Sequence, residues 1–298
     1  MPGAVRRVGV LVHVDKSGAL PLTARLVAWL QARAVEVTVL PEVGSALGGG
    51  VSVSLLPELA SQCGLVVVLG GDGTLLGAAR RTASYAPALL GVNLGRLGFL
   101  TELEQAELFA ELPGILTGRF EIDERAMLAA VVRGGGSEAQ TYLALNDVVV
   151  TKGPFSRLMR LCVRSGGREV AAYPGDGIIL STPTGSTAYA LSAGGPILHP
   201  QVHGILITPI CPHSFYARPT VVGAGERLRV EVSPVAGPRG PVDVALTVDA
   251  QEGRSLQPGE WVDVSTAPQR ARLVRRPGWN FYEVLRGKLA DGGNRGDG

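Results

Sequence analysis

Apolar residues alternate with other residues from Arg7 to Val14, where Val8, Val10, Val12 and Val14 share one side. That is the period of a strand with one buried face. From Leu20 to Arg33 the spacing changes, and Leu22, Leu26, Trp29 and Leu30 fall on one face of a helix. Val35 to Leu40 reads again as a strand and runs into a loop through Gly48-Gly49-Gly50. A short helix near Leu55 to Ser61 precedes Leu65 to Leu69, an unbroken apolar run of the kind that forms a strand buried on both faces. A helix over Leu75 to Ser84 and a strand over Leu89 to Val92 continue the alternation. Strands interleaved with helices predict an α/β domain with a parallel sheet, whose ligands sit at the carboxyl ends of the strands.

The texture changes near Phe120. Short β-rich runs follow one another: Ala126 to Val132, Thr141 to Val150, Leu158 to Val163, Ile178 to Leu180, Gly204 to Ile210, Leu228 to Val232, Val242 to Val248, Trp261 to Val264 and Ala271 to Val274. Glycines and prolines separate them, which predicts an antiparallel, sandwich-like β domain. The expected division is therefore 1–120 for the α/β nucleotide-binding domain and 121–274 for the β-rich domain. The segment 275–298 is expected to hold a helix over Phe281 to Leu289 that packs back on the first domain. A mobile tail follows from Asp291.

Composition narrows the class. A chain of 298 residues with 46% hydrophobic and 18% charged side chains can build two proper cores. A formal net charge of +2 gives no reason to expect nucleic acid or a membrane as partner. Cys63, Cys162 and Cys211 are few, odd in number and far apart, which fits reduced thiols and a cytoplasmic location. The opening arginines and apolar stretch mimic a signal peptide, but its shortness, His13, Asp15 and the strand-like alternation speak against that reading.

Two stretches carry chemistry. Leu65 to Leu69 runs into Gly70-Gly71-Asp72-Gly73-Thr74, and the helix that follows would present free N–H groups to an anion. Glycines there allow positive φ or close approach of a phosphate. A carboxylate at the centre does not suit phosphate binding alone, so Asp72 is expected to accept a proton or to face a cation. Gly-Asp-Gly after a strand is also a common turn. No G-x-x-x-x-G-K-[ST] loop occurs, and lysines are scarce near the turn, so a divalent cation, Mg²⁺ or another, would supply positive charge.

The second stretch, Tyr173 to Pro200, has seven hydroxyl side chains between Ser181 and Ser192 and no charge among them. It reads either as a solvated linker or as a pocket wall in which hydroxyls meet ribose and base edges. Asp176 and the pair Asn146-Asp147 could accept from ribose hydroxyls. His199 and His203 have zinc-ligand spacing, but Pro200 and Gly204 argue against a helix there. His213 reads as structural, and Arg270, Arg272, Arg275 and Arg276 as a solvated strand face and linker.

Together, G-G-D-G-T, the Asn-acid pair and D-G-x-x-x-S-T-P-T-G-S-T-A-Y resemble the ATP-NAD kinase family. The resemblance continues through Gly91 to Glu102, Pro212-His213-Ser214, Arg218-Pro219 and Phe281 to Leu285. It implies an α/β domain followed by a β domain with the site between them. It also implies phosphoryl transfer from ATP, or polyphosphate, to the 2′-hydroxyl of the adenosine ribose of NAD, giving NADP. Asp72 would then be the proton acceptor. Gly70, Gly71, Gly73 and Thr74 would lie at the nucleotide, and Asn146, Asp147, Asp176, Thr184, Thr187, Ala188, Tyr189, Ala190, Leu191 and Ser192 would line the dinucleotide site. Arg157, Cys211 and Gln251 fall at further contact positions, and a homodimer or homotetramer is implied. Three departures stand out. Asp147 is a methylene shorter than the family's usual Glu, Pro174 replaces a frequent Arg, and Asp249-Ala250-Gln251 replaces D-G-Q. Two rival functions remain: a lipid kinase, disfavoured by the polar loop 181–192, and a non-catalytic dinucleotide sensor, which has no use for Asp72.

Overall fold

The computed structural model describes residues 5–95, 98–136, 138–153, 158–234 and 243–293. Two compact units form: residues 1–124 with 270–298, and residues 125–269.

The first unit opens with β1 (Arg7–Val12), α1 (Ala19–Gln31), β2 (Glu36–Val39), α2 (Pro41–Ala46), β3 (Ser52–Val53) and α3 (Leu56–Gln62). It continues with β4 (Leu65–Gly70), α4 (Asp72–Thr82), β5 (Ala88–Asn93), β6 (Leu103–Glu104) and α5 (Leu108–Leu116). Every pairing among β1 to β6 is parallel, and the main order is β3-β2-β1-β4-β5. Connections leave β1 for β2 on one side and return to β4 on the other, so the order reverses between β1 and β4. In open parallel sheets the crevice at that reversal, outside the carboxyl ends, is where ligands bind. Residues of β4 and β5 are buried throughout, as unbroken apolar runs require.

The second unit holds most of β7 (Glu121–Gly134), then β8 (Gln140–Ala144), β9 (Asp147–Lys152), β10 (Met159–Ser165), β11 (Arg168–Gly175) and β12 (Gly177–Ser181). A 3₁₀ turn (Thr184–Thr187) and the single-turn α6 (Tyr189–Ser192) precede β13 (Gly204–Ile210), β14 (Thr220–Gly223), β15 (Arg227–Pro234), β16 (Val244–Val248) and β17 (Glu252–Leu256). One antiparallel sheet runs β14-β13-β12-β9-β16-β17. A second set of strands includes β10, β11, β15 and the start of β18 (Glu260–Arg275). Alternate residues of both sets, among them Val148, Val150, Leu161, Ile178, Leu180, Val230, Leu246 and Val262, share one core, which makes the unit a β-sandwich. The opposite face of β9, β12 and β13 buries Val149, Ile179 and Leu206 against Ala190 of α6.

β18 leaves the sandwich and ends in the first unit, where Arg272 and Leu273 pair in parallel with Ala88 and Leu89 of β5. The last helix, α7 (Phe281–Gly293), belongs to the first unit too. Among the described residues no helix is long and apolar enough to cross a membrane.

Four details depart from expectation. α4 starts at Asp72, so the carboxylate lies inside the first helical turn. The stretch after Ser181 is folded and largely buried, which departs from the solvated-linker alternative alone. α5, with Pro113 inside it, gave no clear sequence signal. Arg275 does not lie on a solvated strand face: it is 2% exposed and bonded to Glu102 and Asp123, because β18 runs into the first unit beside those acids.

Candidate active site

A single residue, Gly71, separates β4 from α4. Its φ of −144° and ψ of −171° are extended backbone that any residue adopts. Conformational freedom is therefore not what glycine provides here. An ideal Cβ on Gly71 would lie 3.1 Å from the Lys16 ammonium and 3.7 Å from Asn93 Oδ1. Glycine at 71 leaves that space to Lys16. Thr74, in the first turn of α4, accepts from the Gly71 N–H through Oγ1 at 3.4 Å, and a Cβ on Gly70 would collide with its side chain. Gly73 is the second residue of α4.

The Asp72 carboxylate is heavily engaged. Oδ2 accepts the Phe99 N–H at 2.8 Å. Oδ1 accepts from the N–H groups of Leu100 at 3.2 Å and Thr101 at 3.1 Å, and from the Thr101 hydroxyl at 3.3 Å. Gly98 lies against the same carboxylate so closely that no Cβ fits there. An ionised carboxylate offers about four lone-pair positions over its two oxygens. Oδ1 is saturated, while Oδ2 has one donor among the described residues and room for a second.

In the second unit, Asp249 organises the Asn-acid pair. Its carboxylate accepts the backbone N–H groups of Leu145, Asn146 and Asp147 at 3.0, 2.8 and 3.0 Å. Asp249 and Ala250 form a turn with φ of 49° and 53°, closed by the Gln251 N–H on the Val248 carbonyl at 3.0 Å. The turn survives the Gly-to-Ala departure at 250, at a cost of about 1–2 kcal/mol for an L side chain in the left-handed region.

Asp147 is 4% exposed. Burial first, and then the negative charge of Asp249, push its carboxyl up to about 7. A raised carboxyl pKa makes folding bind a proton that the unfolded chain has already lost. Stability from this group therefore falls as pH rises from about 4 to 7 and levels off beyond. Asp147→Asn is expected to remove a slope of about 1.4 kcal/mol per pH unit across that window, so the variant gains on wild type toward pH 8. Melting temperatures of both proteins from pH 4.5 to 8 check this; a constant difference would mean that Asp147 is already ionised at the acid end.

The hydroxyl-rich stretch is joined to this pair, since Ser181 lies opposite Asp147 in the register of β12 and β9. Thr182 donates to the Leu145 carbonyl at 2.6 Å. Ser186 donates to Pro183 O and accepts from the Leu198 N–H, and Thr187 donates to Thr184 O. Thr184 Oγ1 accepts from the buried Arg125 at 3.2 Å. Most of these hydroxyls therefore fold the loop itself and do not stand open to a ligand. Ala190 is fully buried in the packing beneath α6. Tyr189 is 45% exposed, Ser192 is exposed, and Thr187, Ala188 and Leu191 are half-buried.

Asp176 and Cys211 lie elsewhere. Asp176 pairs with Lys152 Nζ at 3.0 Å and its N–H donates to Ile210 O, next to the exposed Cys211. Lys152 ends β9 and Asp147 begins it. At about 3.3 Å per residue the two groups of candidates are about 17 Å apart. Arg157 lies outside the described residues, as does Arg96 of the 91–102 stretch.

Sequence reasoning missed Lys16, Arg125 and the clamping roles of Asp249 and of the 99–101 amides. Arg125 had a signal, a charge inside the apolar run of β7. The amide clamps had none, because backbone groups carry no residue type. Among the described residues no three His, Cys, Asp or Glu gather as a metal site.

A parallel sheet with a glycine turn, a carboxylate and a helix N-terminus at its point of reversal defines a nucleotide-handling α/β protein. Models of the ATP-NAD kinase N-terminal and C-terminal domains match residues 8–120 and 145–276. The chain belongs to the ATP-NAD kinase family and is a kinase. It is 42% identical over 293 residues to a protein named NAD kinase from Moorella thermoacetica, covering 98% of this chain and 92% of that one. Another NAD kinase, from Symbiobacterium thermophilum, is 42% identical over 288 residues, covering 94% and 98%. The crystal structure of yeast NADH kinase complexed with NADH shares the fold, with a TM-score of 0.88 at 24% identity, covering 99% of this chain and 89% of that one. An NAD kinase from Archaeoglobus fulgidus in complex with ATP has a TM-score of 0.74 at 24% identity, covering 95% and 98%.

Proposed function

We propose that the chain transfers the γ-phosphoryl group of ATP to the 2′-hydroxyl of the adenosine ribose of NAD, giving NADP. The observation that carries this reading is the Asp72 carboxylate in the first turn of α4, with Oδ2 holding one donor among the described residues. A ribose hydroxyl that donates to Oδ2 is held for in-line attack, and its proton passes to that oxygen as the new O–P bond forms and the bond from the γ-phosphorus to the bridging oxygen breaks, releasing ADP. The donors on Oδ1 fix the carboxylate plane, so the accepting lone pair is already aimed. Phosphoryl transfer asks for this kind of positioning and charge neutralisation more than for covalent chemistry.

In this reading the α/β part, 1–120, takes the triphosphate and the β-rich part, 121–274, takes NAD. The Asn146-Asp147 pair and Tyr189 with its neighbours receive the adenosine half, and Asp147 accepts from a ribose hydroxyl. Its raised pKa makes NAD affinity depend on pH near neutrality. Asp176 and Cys211, at the other end of β9, serve a site completed by a second copy in a homodimer or homotetramer. Magnesium takes few protein ligands and several phosphate oxygens. The residues near the turn suit a cation that arrives on the triphosphate, where it would neutralise phosphate charge. The three free cysteines fit a cytoplasmic enzyme.

Purified protein incubated with ATP, Mg²⁺ and NAD should form NADP, read by a dehydrogenase specific for NADP. NAD binding without turnover would favour the dinucleotide sensor, and phosphorylation of diacylglycerol in place of NAD would favour the lipid kinase.

A further inference from the structure

We propose that Lys16 is a phosphate-positioning residue, holding the transferable end of the triphosphate over the Gly71 turn. The inference rests on the kinase reading above and supplies the positive side chain that the sequence near the turn lacks.

Four observations converge on it. Lys16 lies in the connection that follows β1, and Asp72 opens α4, two residues past the end of β4. The two therefore come from the carboxyl ends of the adjacent strands where the sheet order reverses. The ammonium stands against the Gly71 turn, 3.1 Å from the position a Cβ would take there. Lys16 is half-buried, and among the described residues no carboxylate forms an ion pair with it. Structural lysines are usually paired or fully solvated, so an unpaired, partly covered ammonium beside a nucleotide turn has a ligand's charge still to meet. Its backbone is also pinned. The Lys16 N–H donates to His13 O at 3.1 Å, the Ala19 N–H donates to Lys16 O at 3.1 Å, and the His13 N–H donates to Leu69 O of β4 at 3.2 Å. The side chain thus starts from a fixed point tied to the strand that carries the turn.

Chemically, an ammonium is a compact point charge with three donors, suited to non-bridging phosphate oxygens. The α4 N-terminus adds its dipole at the same place. As the γ-phosphoryl group leaves, charge accumulates on the donor oxygens, and a lysine held there stabilises it without taking part in bond making. The identity of Gly71 also follows. Its backbone would accept a side chain, but a Cβ there would crowd the ammonium and push it off by a few tenths of an ångström.

The test uses Lys16→Gln, Lys16→Arg, Gly71→Ala and the Lys16→Gln/Gly71→Ala double variant. Each is assayed for NADP formation while ATP and NAD are varied separately, with thermal melts to confirm folding. Loss of a charged hydrogen bond predicts a fall of about ten- to a hundredfold in kcat/KM for ATP in Lys16→Gln. The KM for NAD should stay unchanged, and Lys16→Arg should recover part of the loss. Gly71→Ala should cost much less in the Lys16→Gln background than alone, since both act through one ammonium. The proposal is overturned if Lys16→Gln stays within about threefold of wild type, if both substrates lose equally, or if the two substitutions multiply independently. If Lys16→Gln does not fold, Lys16→Arg and Gly71→Ala decide through the same KM comparison. A wild-type protein that makes no NADP would instead defeat the kinase reading. Calorimetric binding of a non-hydrolysable ATP analogue to wild type and Lys16→Gln then still reports on Lys16, and equal affinities would overturn its role.

Discussion

Asp72→Asn is expected to lower kcat by roughly 10²–10⁴-fold, the range for losing a positioned base. The amide keeps the size of the side chain but cannot take the hydroxyl proton. The hydrogen-bond pattern adds a second, separable consequence. If the Asn oxygen keeps the three donors now on Oδ1, its NH₂ must face the Phe99 N–H that Oδ2 accepts today. Two donors then oppose each other, a loss of about 1–3 kcal/mol. The variant should melt several degrees lower while remaining folded at assay temperature. Single-turnover rates at saturating ATP and NAD, taken well below its melting temperature, separate the two effects. A rate within a few-fold of wild type would remove Asp72 from proton transfer and leave it the role of a loop tie.

Arg275→Ala should be the most destabilising single change considered, at about 3–5 kcal/mol, because it removes the most deeply buried cation from the carboxylates of Glu102 and Asp123. Arg275 is 2% exposed and lies 3.1 Å from Glu102, 3.3 Å from Asp123 and 3.0 Å from the Leu100 carbonyl. Its guanidinium also sits 4.4 Å from the centre of the Trp279 ring. Arg276 holds the other oxygen of Glu102 and takes up only part of the charge. Urea unfolding of wild type and variant measures the loss. Arg275→Met combined with Glu102→Gln and Asp123→Asn should recover much of it, since no bare charge then remains. A loss below about 1 kcal/mol for Arg275→Ala would mean that water already screens these acids. The same arginine steadies Leu100, whose N–H holds Asp72, so turnover should fall along with stability.

These two residues show what the sequence could and could not disclose. The parallel sheet was legible from Leu65 to Leu69, an apolar run that only burial on both faces suits, whereas β1 read as burying one face and is buried on both from Val8 to Leu11. The sandwich was legible from short β-rich runs parted by glycines and prolines, such as Ile178-Ile179-Leu180, whose outer residues enter the main core while the middle one packs beneath α6. Asp72 stood out because a charge among glycines at a strand end is chemically odd. Its partners did not, because Phe99, Leu100 and Thr101 act through N–H groups that every residue but proline has. Lys16 was hidden by distance along the chain, since only the pairing of β1 with β4 brings it to the turn. Arg275 was misread because strand alternation cannot say which neighbour a strand finally meets. The hydroxyls of 181–192 were legible as a cluster but not as a loop that bonds mainly to itself.

β18 gives the chain an order of assembly. On the ribosome, the first 124 residues emerge early, yet the strand that pairs with β5 and the arginine that neutralises Glu102 and Asp123 belong to 270–298. All of 125–269 is made in between, taking roughly 7–30 s at about 5–20 residues per second. The sandwich can close during that interval, while the earlier half waits with the Ala88-Leu89 part of β5 lacking its β18 neighbour. Pulse-labelled nascent chains should therefore acquire protease resistance out of sequence, the middle before the beginning. Chains stopped short of Arg275 should leave the N-terminal half open to chaperones, with its catalytic turn already synthesised and nothing to hold the loop that aims it.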